Sequence, residues 1–352
     1  MRISSTSATT KLYSDCIRSQ YIVMEIGMSK ITLNERSSGP RLLGSDPAAM
    51  FVLADNHRLH CFAPVNTVEG RDAYQNQLLD PLRAAFPRGE ERCDIRMSGH
   101  YQDGDWVASS GHIAGLFEAP LFGIPATGRT AFVRFGRFER HENGRIAETI
   151  LIVDLPALMM QAGCWPCGPA MGSSFPAPGP ATHDGIVQPG DEGGATSLAL
   201  VNAMIGGLHE FDGSLKSMGM RGYWTEDFWW YGPAPIGNFR GHFDYERGHQ
   251  LPFLTAFPDR VGGNHRARIG EGMYVASTGW PSITATHTGG GWLGLAPSGR
   301  QVTMRVMDFW RREHDGDSER LTENWVMIDI PDLLFQMGID VFERMHVLIQ
   351  RT

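Results

Sequence analysis

Sliding the sequence against itself by 171 positions, with no gap, brings Pro64, Gly70, Tyr74, Pro81, Ala85, Phe86 and Pro87 onto Pro235, Gly241, Tyr245, Pro252, Ala256, Phe257 and Pro258. The same offset matches Gly123, Gly128, Arg129, Phe138 and Arg140 to Gly294, Gly299, Arg300, Phe309 and Arg311. An offset of 175 then pairs Glu148, Asp154, Pro156, Leu158, Gln161 and Gly163 with Glu323, Asp329, Pro331, Leu333, Gln336 and Gly338. A repeat this long is a duplicated domain rather than a solenoid unit, since each copy is large enough to bury its own core.

Glycine and proline density divides the chain further. Residues 1–45 read as a loose tail, with Met24 or Met28 as alternative starts, and residues 164–194 as a Pro/Gly-rich linker. Copy one then runs over 46–163 and copy two over 195–345. The pair Cys164 and Cys167 has the spacing of a redox or zinc half-site, but no second pair completes a zinc site and the surroundings are those of a linker. Five scattered cysteines fit a reducing compartment, and with no signal-peptide pattern the expected location is the cytoplasm. A net charge of -8 argues against nucleic acid and anionic membranes as partners, and no apolar stretch is long enough to span a bilayer.

In copy two, Leu198, Val201, Ile205 and Leu208 fall on one side of a helix expected over 195–220, and a second helix is expected over 245–257. Strands follow over 273–277, 283–288, 301–312 and 321–330, closed by a short helix over 331–337. Helices followed by long antiparallel strands are the pattern of an α+β domain in which a bent sheet wraps on helices and leaves a pocket between them.

The segment Gln301 to Trp310 is the one to watch. Val302, Met304, Val306, Asp308 and Trp310 share a strand face, so a carboxylate ends a row of apolar side chains. Burial there raises its pKa toward that of a working base. His287 shares parity with Ile283 and Ala285 and is also inward. The bland alternative is a histidine and an aspartate paired within a filled core. Copy one acts as an internal control: at the 171 offset Asp308 falls on Arg137 and His287 on Leu116, while the scaffold residues persist. Two compensating gaps would instead bring His112 onto His287. A division of labour between the copies follows, in which copy one either binds an anion through Arg137 or plugs its own pocket. Glu148 and Glu323, kept in both copies, fit a structural ion pair.

Seven of the nine tryptophans lie in copy two. Trp229, Tyr231, Trp292 and Trp310 are the expected walls of a cavity for a ring-bearing or unsaturated small molecule, and Asn324 is a candidate donor to a ligand oxygen.

Copy two, through Ala256-Phe257-Pro258-Asp259, Thr286-His287-Thr288-Gly289, Gly294 to Arg300, Asp308-Phe309-Trp310-Arg311 and Glu323-Asn324-Trp325 with Asp329, resembles the SnoaL-like polyketide cyclase (ester cyclase) family of the NTF2-like superfamily. Copy one resembles it through Ala85-Phe86-Pro87, Gly123 to Arg129 and Glu148 with Asp154. The resemblance implies two cone-shaped domains and, by motif, an acid/base pair at Asp308 and His287 in an intramolecular aldol closure without cofactor or metal. The expected activity is that of a lyase or isomerase acting on a carbon acid next to a carbonyl, in a monomer or homodimer. The rival is a non-catalytic small-molecule binder or assembly module on the same fold.

Overall fold

The structure is a computed structural model that describes residues 40–43, 47–102, 104–188 and 190–351. Most of the expected tail, and both alternative starts, lie outside the described residues. Of its described part, Leu42 and Leu43 are buried in the core.

The first domain runs β1 (Leu53–Cys61), β2 (Thr67–Glu69), α1 (Arg71–Tyr74), a π turn (Gln75–Leu79), α2 (Asp80–Ala85), β3 (Glu90–Tyr101), β4 (Gly104–Leu116), β5 (Thr130–Glu142), β6 (Arg145–Val153) and α3 (Leu155–Gln161). The second runs α4 (Gly194–Leu208), β7 (Trp224–Tyr231), β8 (Asn238–Arg240), α5 (Gly241–Tyr245), a π turn (Glu246–Gln250), α6 (Leu251–Ala256), β9 (Ala267–Glu271), β10 (Tyr274–Thr286), β11 (Gln301–Asp315), β12 (Ser318–Ile328), α7 (Ile330–Gln336) and α8 (Val341–Ile349). Each domain holds one six-stranded sheet, ordered β2-β1-β6-β5-β4-β3 and β8-β7-β12-β11-β10-β9. These are two tandem α+β domains. The sheets are mixed rather than wholly antiparallel: β1 lies parallel to β6, and β7 to β12. The opening strand of each domain is joined to the last only through the rest of the domain, so no hairpin constrains their relative direction.

Local chemistry sets the corners. Asn143 and Gly144 both take positive φ between β5 and β6, the backbone of a type I′ hairpin turn. Asp154 and Asp329 accept backbone N–H groups at the starts of α3 and α7, with Pro156 and Pro331 in the first turns, where a missing N–H does no harm. The expected helix over 195–220 stops at Leu208, where Gly206 and Gly207 interrupt it. The two expected strands 273–277 and 283–288 are one long β10, bent by a bulge between Gly279 and Ile283.

One face of each sheet wraps its own helices and forms the interior of a cone. The other faces pack against each other, joining Ile95, Met97, Trp106 and Phe138 to Tyr231, Ile269, Met307, Phe309, Trp325 and Met327 in one buried layer. This contact is isologous. The repeat-related residues Phe138 and Phe309 meet at 5.6 Å. The Asp154 carboxylate accepts the Ala234 N–H at 2.9 Å, and the Asp329 carboxylate accepts the Ala63 N–H at 3.0 Å. Reciprocal use of equivalent residues is the mark of two-fold packing, here within a single chain. Residues 164–193 contain no helix or strand among those described. They are nevertheless strapped to both domains: Arg96 donates to the Gly185 carbonyl at 2.7 Å, and Trp325 Nε1 to the Pro178 carbonyl at 2.8 Å.

Candidate functional site in the second cone

Asp308 sits mid-way along β11, opposite Ser277 of β10 and Val326 of β12. Met304, Val306 and Trp310, on the same face of β11, are all buried. The residue keeps part of its surface open, while its carboxyl is surrounded closely enough by protein for burial to push its pKa from 3.8 up to about 7. Asn324 and Arg268 oppose that rise; Asn324 Nδ2 lies 3.4 Å from Asp308 Oδ1 and donates to the Phe309 carbonyl at 3.0 Å. Tyr245, at the end of α5, faces the same carboxyl: burial first, and the Asp308 charge second, raise its phenol pKa well above the usual range and keep it protonated. Arg268 of β9 lies opposite Ser277, so Arg268, Ser277 and Asp308 form one rung across three strands. None of Arg268, Ser277 or Tyr245 is singled out by the sequence, because only strand register and helix packing bring them to Asp308.

His287 is elsewhere. It follows the last residue of β10, and its backbone N–H donates to the Arg300 carbonyl just before β11 begins. Eight residues of strand separate that point from Asp308, about 25 Å at 3.3 Å per residue. The ring is fully buried, 5.2 Å from Phe257, and Nδ1 accepts the Ser298 N–H at 3.1 Å. Burial alone lowers its pKa, which favours the neutral form. The structure thus does not bring His287 to Asp308, because His287 pairs with the residue before β11 while Asp308 lies mid-strand; the bulge in β10 decides only which residue of the first domain is its counterpart. Gly279 pairs with Val306 and Ile283 with Met304, so four steps on β10 face two on β11. β4 has no such insertion against β5. The counterpart of His287 is therefore Phe117, not Leu116 or His112. The two make the same backbone bonds, to Arg300 and Gly299 in one domain and to Arg129 and Gly128 in the other. Phe117 stacks on Phe86 at 5.3 Å, as His287 lies on Phe257.

The aromatic candidates also divide. Trp310 lines the cone beside Asp308. Trp292 is wholly buried against Phe253 and Phe257, near His287. Trp229 and Tyr231 stack on each other at 5.6 Å and belong to the layer between the sheets, with Arg240 over Trp229. They do not wall the cone. Their strand parity assigns them to that outer face, which sequence alone does not show to be buried.

The first cone is closed. Arg137, in the place of Asp308, is buried with Glu91 at 3.1 Å and Glu139 at 3.7 Å. Burial would lower its pKa, but those two carboxylates hold it above the usual range. The Pro40 carbonyl also accepts from Arg137, and the Leu42 N–H donates to Glu91, so the segment before the domain helps fill the space. Of the two expectations for copy one, the structure has the plug. Glu148 is a bridge between domains: burial would raise its pKa, but Arg266 at 2.5 Å and Arg140 at 3.2 Å hold it down. Glu323 has Arg311 at 3.9 Å and the Ala181 N–H at 3.4 Å, and burial still lifts it to about 7. Among the described residues no cluster of three or more His, Cys, Asp or Glu is arranged to hold a metal, and no helix is long and apolar enough to cross a membrane.

Residues 46–162, the first domain, match the family described as SnoaL-like polyketide cyclase. That match spans the first domain, about a third of the chain. The second domain repeats the sheet order of the first. Among solved structures, IdmH of Streptomyces antibioticus, assigned as a polyketide cyclase, is 21% identical over 34% of this chain and 87% of its own, with a TM-score of 0.29. AclR of Streptomyces galilaeus, assigned as a hydroxylase, is 25% identical over 41% of this chain and 97% of its own, with a TM-score of 0.33. A SnoaL-like protein of Jannaschia sp. CCS1, assigned as a polyketide cyclase, is 20% identical over 32% and 75%, with a TM-score of 0.28. Curated proteins include no significant match to the chain.

Proposed function

We propose that the second cone is the working site of an acid/base enzyme of the SnoaL-like cyclase type, and that Asp308 is its proton-transfer group. The substrate class is a small carbon acid with a carbonyl neighbour, ring-bearing or unsaturated to suit the apolar wall of Met304, Val306 and Trp310. Asp308 takes the proton next to the carbonyl, and the resulting enolate closes, isomerises or eliminates, which makes the enzyme a lyase or isomerase. The only proton carrier this scheme asks for is a carboxyl whose pKa lies near neutrality. One observation carries the reading. At the same strand position one cone has a carboxyl that burial raises to about 7, while the other has an arginine locked between two glutamates. A structural role would give both copies reason to keep the same residue. His287 is left as a core ring in the slot of Phe117, and the cytoplasm remains the proposed location on the unpaired cysteines Cys61, Cys93, Cys164 and Cys167.

The test is deuterium uptake from D2O into a panel of cyclic and aryl 1,3-diketones, followed by NMR. Wild-type protein should catalyse exchange in at least one, and Asp308→Asn should lower the rate by roughly 10² to 10⁴. Equal exchange by wild type and variant would overturn the assignment.

A further inference from the structure

Ser277 lies between two charged neighbours in one rung, Arg268 on β9 and Asp308 on β11. Directly opposite residues present their side chains to the same face, so all three enter the cone. His265, just ahead of β9, touches two of them: its Nε2 meets Arg268 Nη2, and its Nδ1 lies 3.0 Å from Ser277 Oγ. A guanidinium has donors only, so Nε2 must be the acceptor and the ring proton sits on Nδ1. Nδ1–H therefore donates to Ser277 Oγ, and the hydroxyl proton is left to point at something else. Burial first and Arg268 second push the His265 pKa down to about 4, which agrees with a neutral ring accepting at Nε2. Arg268 is itself fixed from α4, donating to Asn202 Oδ1 at 2.5 Å. The first domain keeps Ser109 and Arg96 at the matching places, but there the third member of the rung is Arg137.

We propose that Ser277 is the oxyanion donor of the second cone, with His265 and Arg268 as the positioning residues that aim its hydroxyl, and that the site takes carbonyl compounds that bind best as enolates or phenolates. This rests on the reading of Asp308 as the base. In the step itself the C–H bond breaks and its proton passes to an Asp308 oxygen. The freed pair forms the carbon–carbon double bond, and the carbonyl π pair moves onto oxygen, which accepts the Ser277 hydroxyl proton as a hydrogen bond. The chain Arg268→His265→Ser277→oxygen then runs donor to acceptor throughout, with a fixed positive charge at its far end.

The experiment compares 4-nitrophenolate, read by its absorbance on binding, with 4-nitroanisole, a neutral molecule of similar shape, read by calorimetry. Wild-type protein should prefer the phenolate. Ser277→Ala should weaken phenolate binding roughly ten- to a hundredfold, the range for a hydrogen bond to a charged group, and leave nitroanisole unchanged. His265→Phe should lose most of the same preference, and Ser277→Thr should retain it. Asp308→Asn should bind the phenolate more tightly than wild type, since a neighbouring negative charge is gone. If Ser277→Ala fails to fold, Ser277→Cys, close in size and a poorer donor, takes its place with the same expected direction. An unchanged phenolate preference in the Ser277 variants overturns the donor, and so does a wild-type protein that binds neither probe. If the preference vanishes with Ser277 while Asp308→Asn still exchanges deuterium normally, the donor stands and the assignment of the base falls.

Discussion

Replacing Asp308 by asparagine should make this protein more stable at alkaline pH while removing its activity. The carboxyl is raised from 3.8 to about 7, chiefly by burial. The folded protein therefore holds that proton more tightly than the unfolded chain. Its contribution is fully favourable below pH 4, is lost progressively as pH rises from about 4 to about 7, and is gone above that. Three units correspond to roughly 4 kcal/mol at 1.36 kcal/mol per unit, and relaxation and water at the partly open carboxyl reduce this to about 2–4 kcal/mol. Asparagine keeps the shape and an acceptor for Asn324 but cannot ionise. Urea unfolding of wild type and Asp308→Asn at pH 5 and pH 8.5 gives the difference directly, and subtracting one protein from the other removes the parallel titrations of Glu323 and Asp329, both also near 7. The expected result is a variant more stable by about 1–2 kcal/mol at pH 5 and by about 2–4 kcal/mol at pH 8.5. The charged and titratable groups that face the carboxyl, Arg268, His265 and Tyr245, are present in both proteins. Identical pH dependence of the two would show that Asp308 is not desolvated and would remove the physical basis for calling it a base.

Three further outcomes follow from the same geometry. Turnover or deuterium exchange should rise as pH passes through about 7, because the carboxylate is the active form; a profile flat between pH 5 and 8 would contradict it. His287→Phe should leave exchange within about threefold of wild type and should not lower stability, since Phe117 fills the same slot and the buried His287 Nε2 has no partner among the described residues; a hundredfold loss would return the histidine to the chemistry. Arg137→Met should destabilise the chain by about 3–5 kcal/mol, because Glu91 and Glu139 are left buried without their cation, yet chemistry in the other cone should survive wherever the variant folds.

The duplication and the inward parity of Asp308 are local or periodic features, and both were open to reading in the sequence. So was the exchange of Asp308 for Arg137, since an ungapped offset needs no structure. Long-range register was not. A two-residue bulge in β10 moves His287 by one place relative to its copy, and strand pairing seats it beside the start of β11, so the pair that shared parity does not meet. Parity names a face but not what covers it: the alternation that points Trp310 into the cone points Tyr231 and Trp325 outward, and their burial depends on the second sheet packing against them. Arg268, Ser277 and His265 became neighbours of Asp308 only through cross-strand pairing. Alternation and offset are written along the chain, where spacing alone decides them. Which rung meets which, and which faces meet at all, is decided by packing the two halves together, and that is why the sequence determined where the carboxyl points while only the tertiary structure determined its company.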